Sequence, residues 1–147
     1  MEWIETLRGT VVGLDTAPLI YFIEENPAYL PIVRPFFEAL DRGHFRVTTS
    51  ILTLTEVLVH PLRNGDRLLA EQYRRILLRA PHLSIEPVSE GVAERAAKLR
   101  ASHGLRTPDA IQMASALHMA ASSFLTNDVR LPSLPSLKVL VLNQLKP

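Results

Sequence analysis

Three aspartates stand at places where this chain changes element, and a glutamate borders the apolar face of a helix. Asp15 closes the apolar run Thr10-Val11-Val12-Gly13-Leu14, Glu56 lies inside ILTLTEVLVHPL, Asp109 follows Thr107-Pro108, and Asp128 ends SSFLTND. Each has a plainer reading. Asp15 suits a helix N-cap, Glu56 a surface glutamate lying on its stem, Asp109 a first helical turn, and Asp128 a turn. Gathered in one place they would repel one another unless a hard cation neutralised them, and oxygen-only donors suit Mg²⁺ or Mn²⁺. Such an ion keeps several waters and binds phosphate, so the chemistry it would carry is hydrolysis of a phosphodiester by activated water.

Other chemistries find less support. The chain has no cysteine, which excludes a disulfide framework and a thiolate zinc site. His44, His60, His82, His103 and His118 show no ligand spacing, and no Ser-His-Asp order stands out. Gly13-Leu14-Asp15 lacks the glycine fingerprint of a dinucleotide site. A hydrophobic content of 47% with 21% charged residues is that of a globular protein, and 147 residues suit a single domain, 1–147. No apolar run is long enough to span a membrane, and Met1 to Thr10 carries acids where a secretory signal would carry bases. A cytoplasmic protein is the expectation. The net charge of +1 is neutral on nucleic acid, but thirteen of the sixteen basic residues are arginine, the side chain suited to bidentate phosphate contacts.

The elements that must position the acids are legible in the pattern. Met1 to Gly9 reads as a polar lead-in. Thr10 to Leu14 is a buried strand, and Asp15 with Thr16, Ala17 and Pro18 opens a helix through Ile23. A helix follows from Tyr29 to Arg42, with Pro35 expected to kink it or mark its true start, and Gly43 ends it. Phe45 to Thr49 is a strand; Ser50 caps the helix bearing Glu56, and Pro61 is expected to end that helix. Asn64-Gly65-Asp66 is a turn before a basic helix, Arg67 to Arg79, which is either a solvated face or a phosphate contact. His82 to Val88 alternates as a strand does, and Ser89 caps a helix from Glu90 to Ser102 that Gly104 stops. Thr107 is expected to cap a helix whose body, Ala110 to Ala121, is small and apolar on nearly every face and therefore buried. Ser122 to Thr126 and Lys138 to Leu142 are the last strands.

Strands and helices thus alternate almost throughout, which predicts an α/β fold with a parallel sheet of about four or five strands and helices on both faces. Acids at strand ends and helix starts of such a sheet fall at its carboxyl edge, where open α/β folds place their sites.

VVGLDTAPLIYF, SILTLTEVL, TPDAIQMASAL and FLTND, in that order and spacing, resemble the PIN-domain ribonucleases, and among them the VapC-type toxins of toxin–antitoxin pairs. The resemblance extends over nearly the whole chain and implies a three-layer α/β/α fold. It also implies a metal-dependent endoribonuclease whose acidic quartet is Asp15, Glu56, Asp109 and Asp128. Asp15 and Asp109 would be the direct ligands of Mg²⁺ or Mn²⁺, Glu56 and Asp128 would complete the pocket partly through water, and Thr126 would supply a hydroxyl that orders it. A structured RNA substrate, an antitoxin whose tail blocks the pocket, and a homodimer are the implied partners. A catalytically silent PIN scaffold that binds RNA or protein is the competing expectation. The Val129-Arg130-Leu131-Pro132 run after TND and the length of the arm before the first strand depart from the family pattern and bear on RNA contacts rather than on the acids.

Overall fold

In the computed structural model, which describes residues Met1–Leu145, five parallel strands form one sheet in the order β3-β2-β1-β4-β5. They are β1 (Val11–Leu14), β2 (Arg46–Ser50), β3 (Leu83–Glu86), β4 (Ser123–Thr126) and β5 (Lys138–Val141). Helix α1 (Glu2–Glu5) precedes β1, and α2 (Thr16–Ile23), α3 (Leu30–Asp41), α4 (Ile51–Asn64), α5 (Arg67–Arg79), α6 (Glu90–His103) and α7 (Thr107–His118) lie between the strands. The expected three-layer α/β/α architecture is the one observed. Lys146 and Pro147, the last residues of the single domain expected over 1–147, lie outside the described residues.

Alternation along β1 decides which helices cover which face. Val12 and Leu14 are fully buried in a core shared with Leu19, Val33, Phe36, Phe45 and Tyr73, which belongs to the α1–α5 side. Val11 and Gly13 face the other way, towards Phe124, Met113 and Ala116 in the core beneath α6 and α7. Side chains with a period of two on a parallel sheet must be apolar on both faces, and here they are. Gly13 is required by closeness: a Cβ built there would lie 2.6 Å from the Ala116 Cβ and 2.8 Å from the Phe124 Cδ1. The small residues of α7, Ala110, Ala114, Ser115 and Ala116, are all buried, so that this helix lies directly on the sheet.

Several helix boundaries differ from expectation. α7, expected to run on to Ala121, ends at His118, and Ala120 already has a positive φ of 56°. α4 continues through Pro61 to Asn64, because only one backbone donor is lost in the last turn and Gly65, in the left-handed conformation, closes the helix with its N–H on the Leu62 carbonyl. Thr107 is already helical and caps nothing; Arg106, extended at φ −68° and ψ 152°, occupies the cap position and its side chain bonds elsewhere. Pro35 lies within α3, whose start is Leu30 with Pro31 in its first turn. Ser50 and Ser89 do cap their helices, accepting from the N–H groups of Leu52 and Val92. Among the described residues, no helix is long and apolar enough to cross a membrane.

Candidate active site

Strand order reverses its direction of growth at β1, between β2 and β4, and the crevice at the carboxyl ends of β1 and β4 is the place such a sheet offers to a ligand. Asp15 is the first residue past β1. Its N–H still bonds the Leu125 carbonyl of β4 at 2.9 Å, so its position is fixed by the ladder before α2 begins. Its Oδ1 accepts from the Thr16 N–H at 2.8 Å, capping α2, and its Oδ2 accepts from the Thr126 hydroxyl at 2.7 Å. The Thr126 oxygen in turn accepts from the Asp128 N–H at 3.0 Å. One buried hydroxyl at the end of β4 therefore ties Asp15 to the turn that carries Asp128.

Glu56 reaches the same place from α4. Although exposed, it accepts from the Thr16 hydroxyl through Oε1 at 2.9 Å, so Thr16 touches both Asp15 and Glu56. Behind it runs a buried polar chain. Each hydroxyl has one proton. Thr49 gives its own to the Leu14 carbonyl (2.8 Å), so the 2.8 Å contact between Thr49 and Thr53 is Thr53 donating. Gln112 of α7 donates to Thr53 at 2.7 Å and accepts from the Ser50 N–H at 3.3 Å. These bonds pin the start of α4 to β1 and α7.

Burial is the largest influence on Asp15 and raises its carboxyl pKa. The hydrogen bonds from Thr126 and Thr16 work in the opposite direction, and the charges of Asp109 and then Glu56 add to the rise. Asp15 thus feels both acids across the crevice. Asp109, in the first turn of α7, and Asp128 are held differently, each by an arginine. Arg106 Nε lies 3.1 Å from the Asp109 Oδ2. Arg130 grips Asp128 in a fork, Nε on Oδ1 at 3.0 Å and Nη2 on Oδ2 at 2.9 Å, and adds its backbone N–H at 3.0 Å. That hydrogen-bonded guanidinium holds the Asp128 carboxyl below its usual range, with a smaller contribution from the charge of Arg106. A cleft of about 150 Å³ opens between these four side chains and His103.

The structure therefore brings Asp15, Glu56 and Thr126 into one bonded network with Asp109 within electrostatic reach, while the Asp128 carboxylate is turned to Arg130. Among the described residues, no three acidic or imidazole side chains converge closely enough to grip an ion between them. The donor set is nonetheless all oxygen, and each Asp15 oxygen keeps a lone pair beyond its one hydrogen bond. A cation would relieve the crowding of charge around Asp15. Those features fit a hydrated Mg²⁺ or Mn²⁺, which is held through one or two carboxylates and water rather than in a cage. Thr53, Gln112 and Arg106 are contributors that sequence reading did not single out, while Thr16 was read only as opening α2 and Arg130 only as part of the run after TND. Thr16 follows Asp15 directly, Thr53 precedes Glu56 by one helical turn, and Gln112 follows Asp109 by one turn in an otherwise small and apolar helix.

A family model described as PIN domain matches residues 12–137. The chain belongs to the PIN-domain family. No curated protein sequence matches it. Among solved structures, this PIN domain is similar to a toxin–antitoxin complex from Klebsiella pneumoniae, with 24% identity over 88% of this chain and 95% of that one, at a TM-score of 0.63. It is also similar to VapBC2 from Rickettsia felis bound to a DNA fragment from their promoter, with 16% identity, coverage of 89% and 98%, and a TM-score of 0.67. A third is the sarcin-ricin-loop-cleaving toxin VapC20 of Mycobacterium tuberculosis, with 16% identity, coverage of 78% and 87%, and a TM-score of 0.63. At these identities the likeness is one of fold.

Proposed function

We propose that this PIN domain is a metal-dependent endoribonuclease and the toxin of a toxin–antitoxin pair, with Asp15, Glu56, Asp109 and Asp128 as its acidic site and Thr126 ordering it. The observation that carries the reading is Asp15. A carboxylate half-buried at the topological switch point, raised in pKa by burial and by two further acids, costs folding free energy that a cation would repay. Resemblance to toxins of the same fold, one of them named as cleaving the sarcin-ricin loop, points to RNA as the phosphodiester concerned.

In this mechanism Asp15 and Asp109 would hold a divalent ion, whose Lewis acidity would make the attacking water more acidic and offset charge on the phosphoryl oxygens. The chain's own residues do the rest. Thr126 and Thr16 each hold one oxygen of Asp15, which fixes the orientation of the carboxylate and leaves a lone pair on each oxygen. Glu56, anchored at Oε1 by Thr16, keeps Oε2 for a water on the open side of the crevice. The water oxygen bonds to phosphorus, the bond from phosphorus to O3′ breaks, and a proton passes to O3′, leaving a 5′-phosphate and a 3′-hydroxyl. An antitoxin that covers the crevice, a homodimer and a cytoplasmic setting complete the proposal.

The competing reading, a catalytically silent scaffold, draws on the arginines that already neutralise Asp109 and Asp128. Chelator-controlled digestion of total RNA separates the two. Asp15→Asn and Asp109→Asn should abolish Mn²⁺-dependent cleavage while the far-ultraviolet spectrum stays that of the parent. Cleavage at the parent rate by either variant would sink the assignment.

A further inference from the structure

Two arginines line the cleft beside these acids. Arg106 and Arg130 are among the more exposed side chains near the acids, at 67% and 72% of their full accessibility, yet each ends on a carboxylate of the site. Among the described residues each guanidinium hydrogen-bonds only to its carboxylate, and the elements they belong to are also held by other bonds: α7 by its own ladder and by Gln112, the loop after β4 by Thr126. Their charges are also shared. Asp128 feels Arg106 besides Arg130, and Arg130 feels Asp109 besides Asp128. Two cations and two anions thus form a small cluster around the 150 Å³ cleft, within electrostatic reach of Asp15 through Asp109.

Exposed ion pairs of this kind contribute little and exchange easily. A divalent ion held by Asp15 and Asp109, with Asp128 reached through water, would compete with both guanidinium groups, whose fork geometry is as well matched to phosphate as to carboxylate. We propose that Arg106 and Arg130 form an exchangeable latch: they cover the carboxylates of Asp109 and Asp128 in the metal-free protein, and on metal binding they turn outward to hold RNA phosphates on either side of the crevice. The inference rests on the nuclease reading and deepens it, because it names the groups that recognise the RNA backbone. It makes metal and RNA bind with positive cooperativity, since each ligand draws on what the other releases.

The latch has an unusual signature: removing an arginine should strengthen one ligand and weaken the other. Mn²⁺ binding, followed by calorimetry with no RNA present, should tighten roughly two- to fivefold in Arg130→Gln or Arg106→Gln, as expected when an exposed competing cation is lost. Binding of a fluorescent RNA hairpin with Mn²⁺ present, in a Glu56→Gln background that keeps the RNA intact, followed by anisotropy against salt, should weaken in each variant, with the salt slope falling by about one for each arginine removed. Arg130→Lys keeps the charge but not the fork, so it should retain most of the slope and lose part of the affinity. Unchanged or weaker Mn²⁺ binding in both glutamine variants would overturn the latch, and an unchanged RNA slope would overturn the phosphate role. Asp15→Asn in the same calorimeter isolates the underlying reading: if the parent binds Mn²⁺ and Asp15→Asn binds it equally well, the metal site itself is misplaced, whatever the arginines do.

Discussion

Replacing Gly13 by alanine should destabilise the protein and loosen the candidate site together, although Gly13 touches no ligand. The added Cβ would meet the Ala116 Cβ at 2.6 Å and the Phe124 Cδ1 at 2.8 Å, whereas carbon atoms rest at roughly 3.5–4.0 Å. The shortfall is about 1 Å, and neither neighbour is the free end of a flexible chain: Ala116 and Phe124 are both buried in the same core. α7 must back away from β1 or Phe124 must leave its rotamer. Overpacking of this kind costs about 1–3 kcal/mol, and in a domain of this size each kcal/mol moves the melting temperature by about 2–4 °C. A retreat of α7 would also carry Asp109 away from Asp15, so Mn²⁺ affinity should fall in parallel. The assay is a thermal melt with a urea titration, repeated on Gly13→Ala/Ala116→Gly. That second change alone costs about 1 kcal/mol of helix propensity, yet on the Gly13→Ala background it removes the clash and should recover stability. A Gly13→Ala protein that melts with the parent, or a double-mutant cycle with no coupling, would show that the contact between β1 and α7 is not close-packed as described.

The acids and their anchor give two more expectations. Because burial and the neighbouring acids raise the Asp15 pKa above its ordinary value of 3.8, the folded state favours its protonated form. The stability this group contributes is present at acid pH and is lost as pH rises through the raised pKa, so in metal-free buffer Asp15→Asn should gain on the parent as pH climbs from about 4 towards neutrality. Denaturant titrations across that range check it, and a difference that stays flat or shrinks would contradict the sign. Thr126→Val should cost about 1–3 kcal/mol by leaving the Asp15 Oδ2 and the Asp128 N–H without their shared partner, whereas Thr126→Ser should restore most of it. Equal melting of the valine and serine variants would mean that the hydroxyl does not hold the two together.

Local chemistry made much of this protein readable in advance. β1 and the start of α2 were legible because an apolar run ends in Asp15-Thr16-Ala17-Pro18, a sequence that both caps and begins a helix. α5 was read at Arg67–Arg79 to the residue, since Asn64-Gly65-Asp66 supplies a left-handed stop, a turn and a new cap. Pro61 and Thr107 misled for a shared reason. The strength of a local stop or cap depends on what the next turn offers, and there Gly65 and Arg106 settled the boundary.

Residue types and their order were enough to determine the α/β layering and the family, and to nominate the four acids, because periodicity and junction chemistry act over a few residues at a time. Only the tertiary structure decided which partner each acid has. Asp15 bonds Thr126 across 111 positions of chain and Glu56 bonds Thr16 across 40, while Asp109 and Asp128 turn to arginines only three and two positions away. Charge and hydrogen-bond energies fall off within a few ångströms of space, and distance along the chain says little about distance through it.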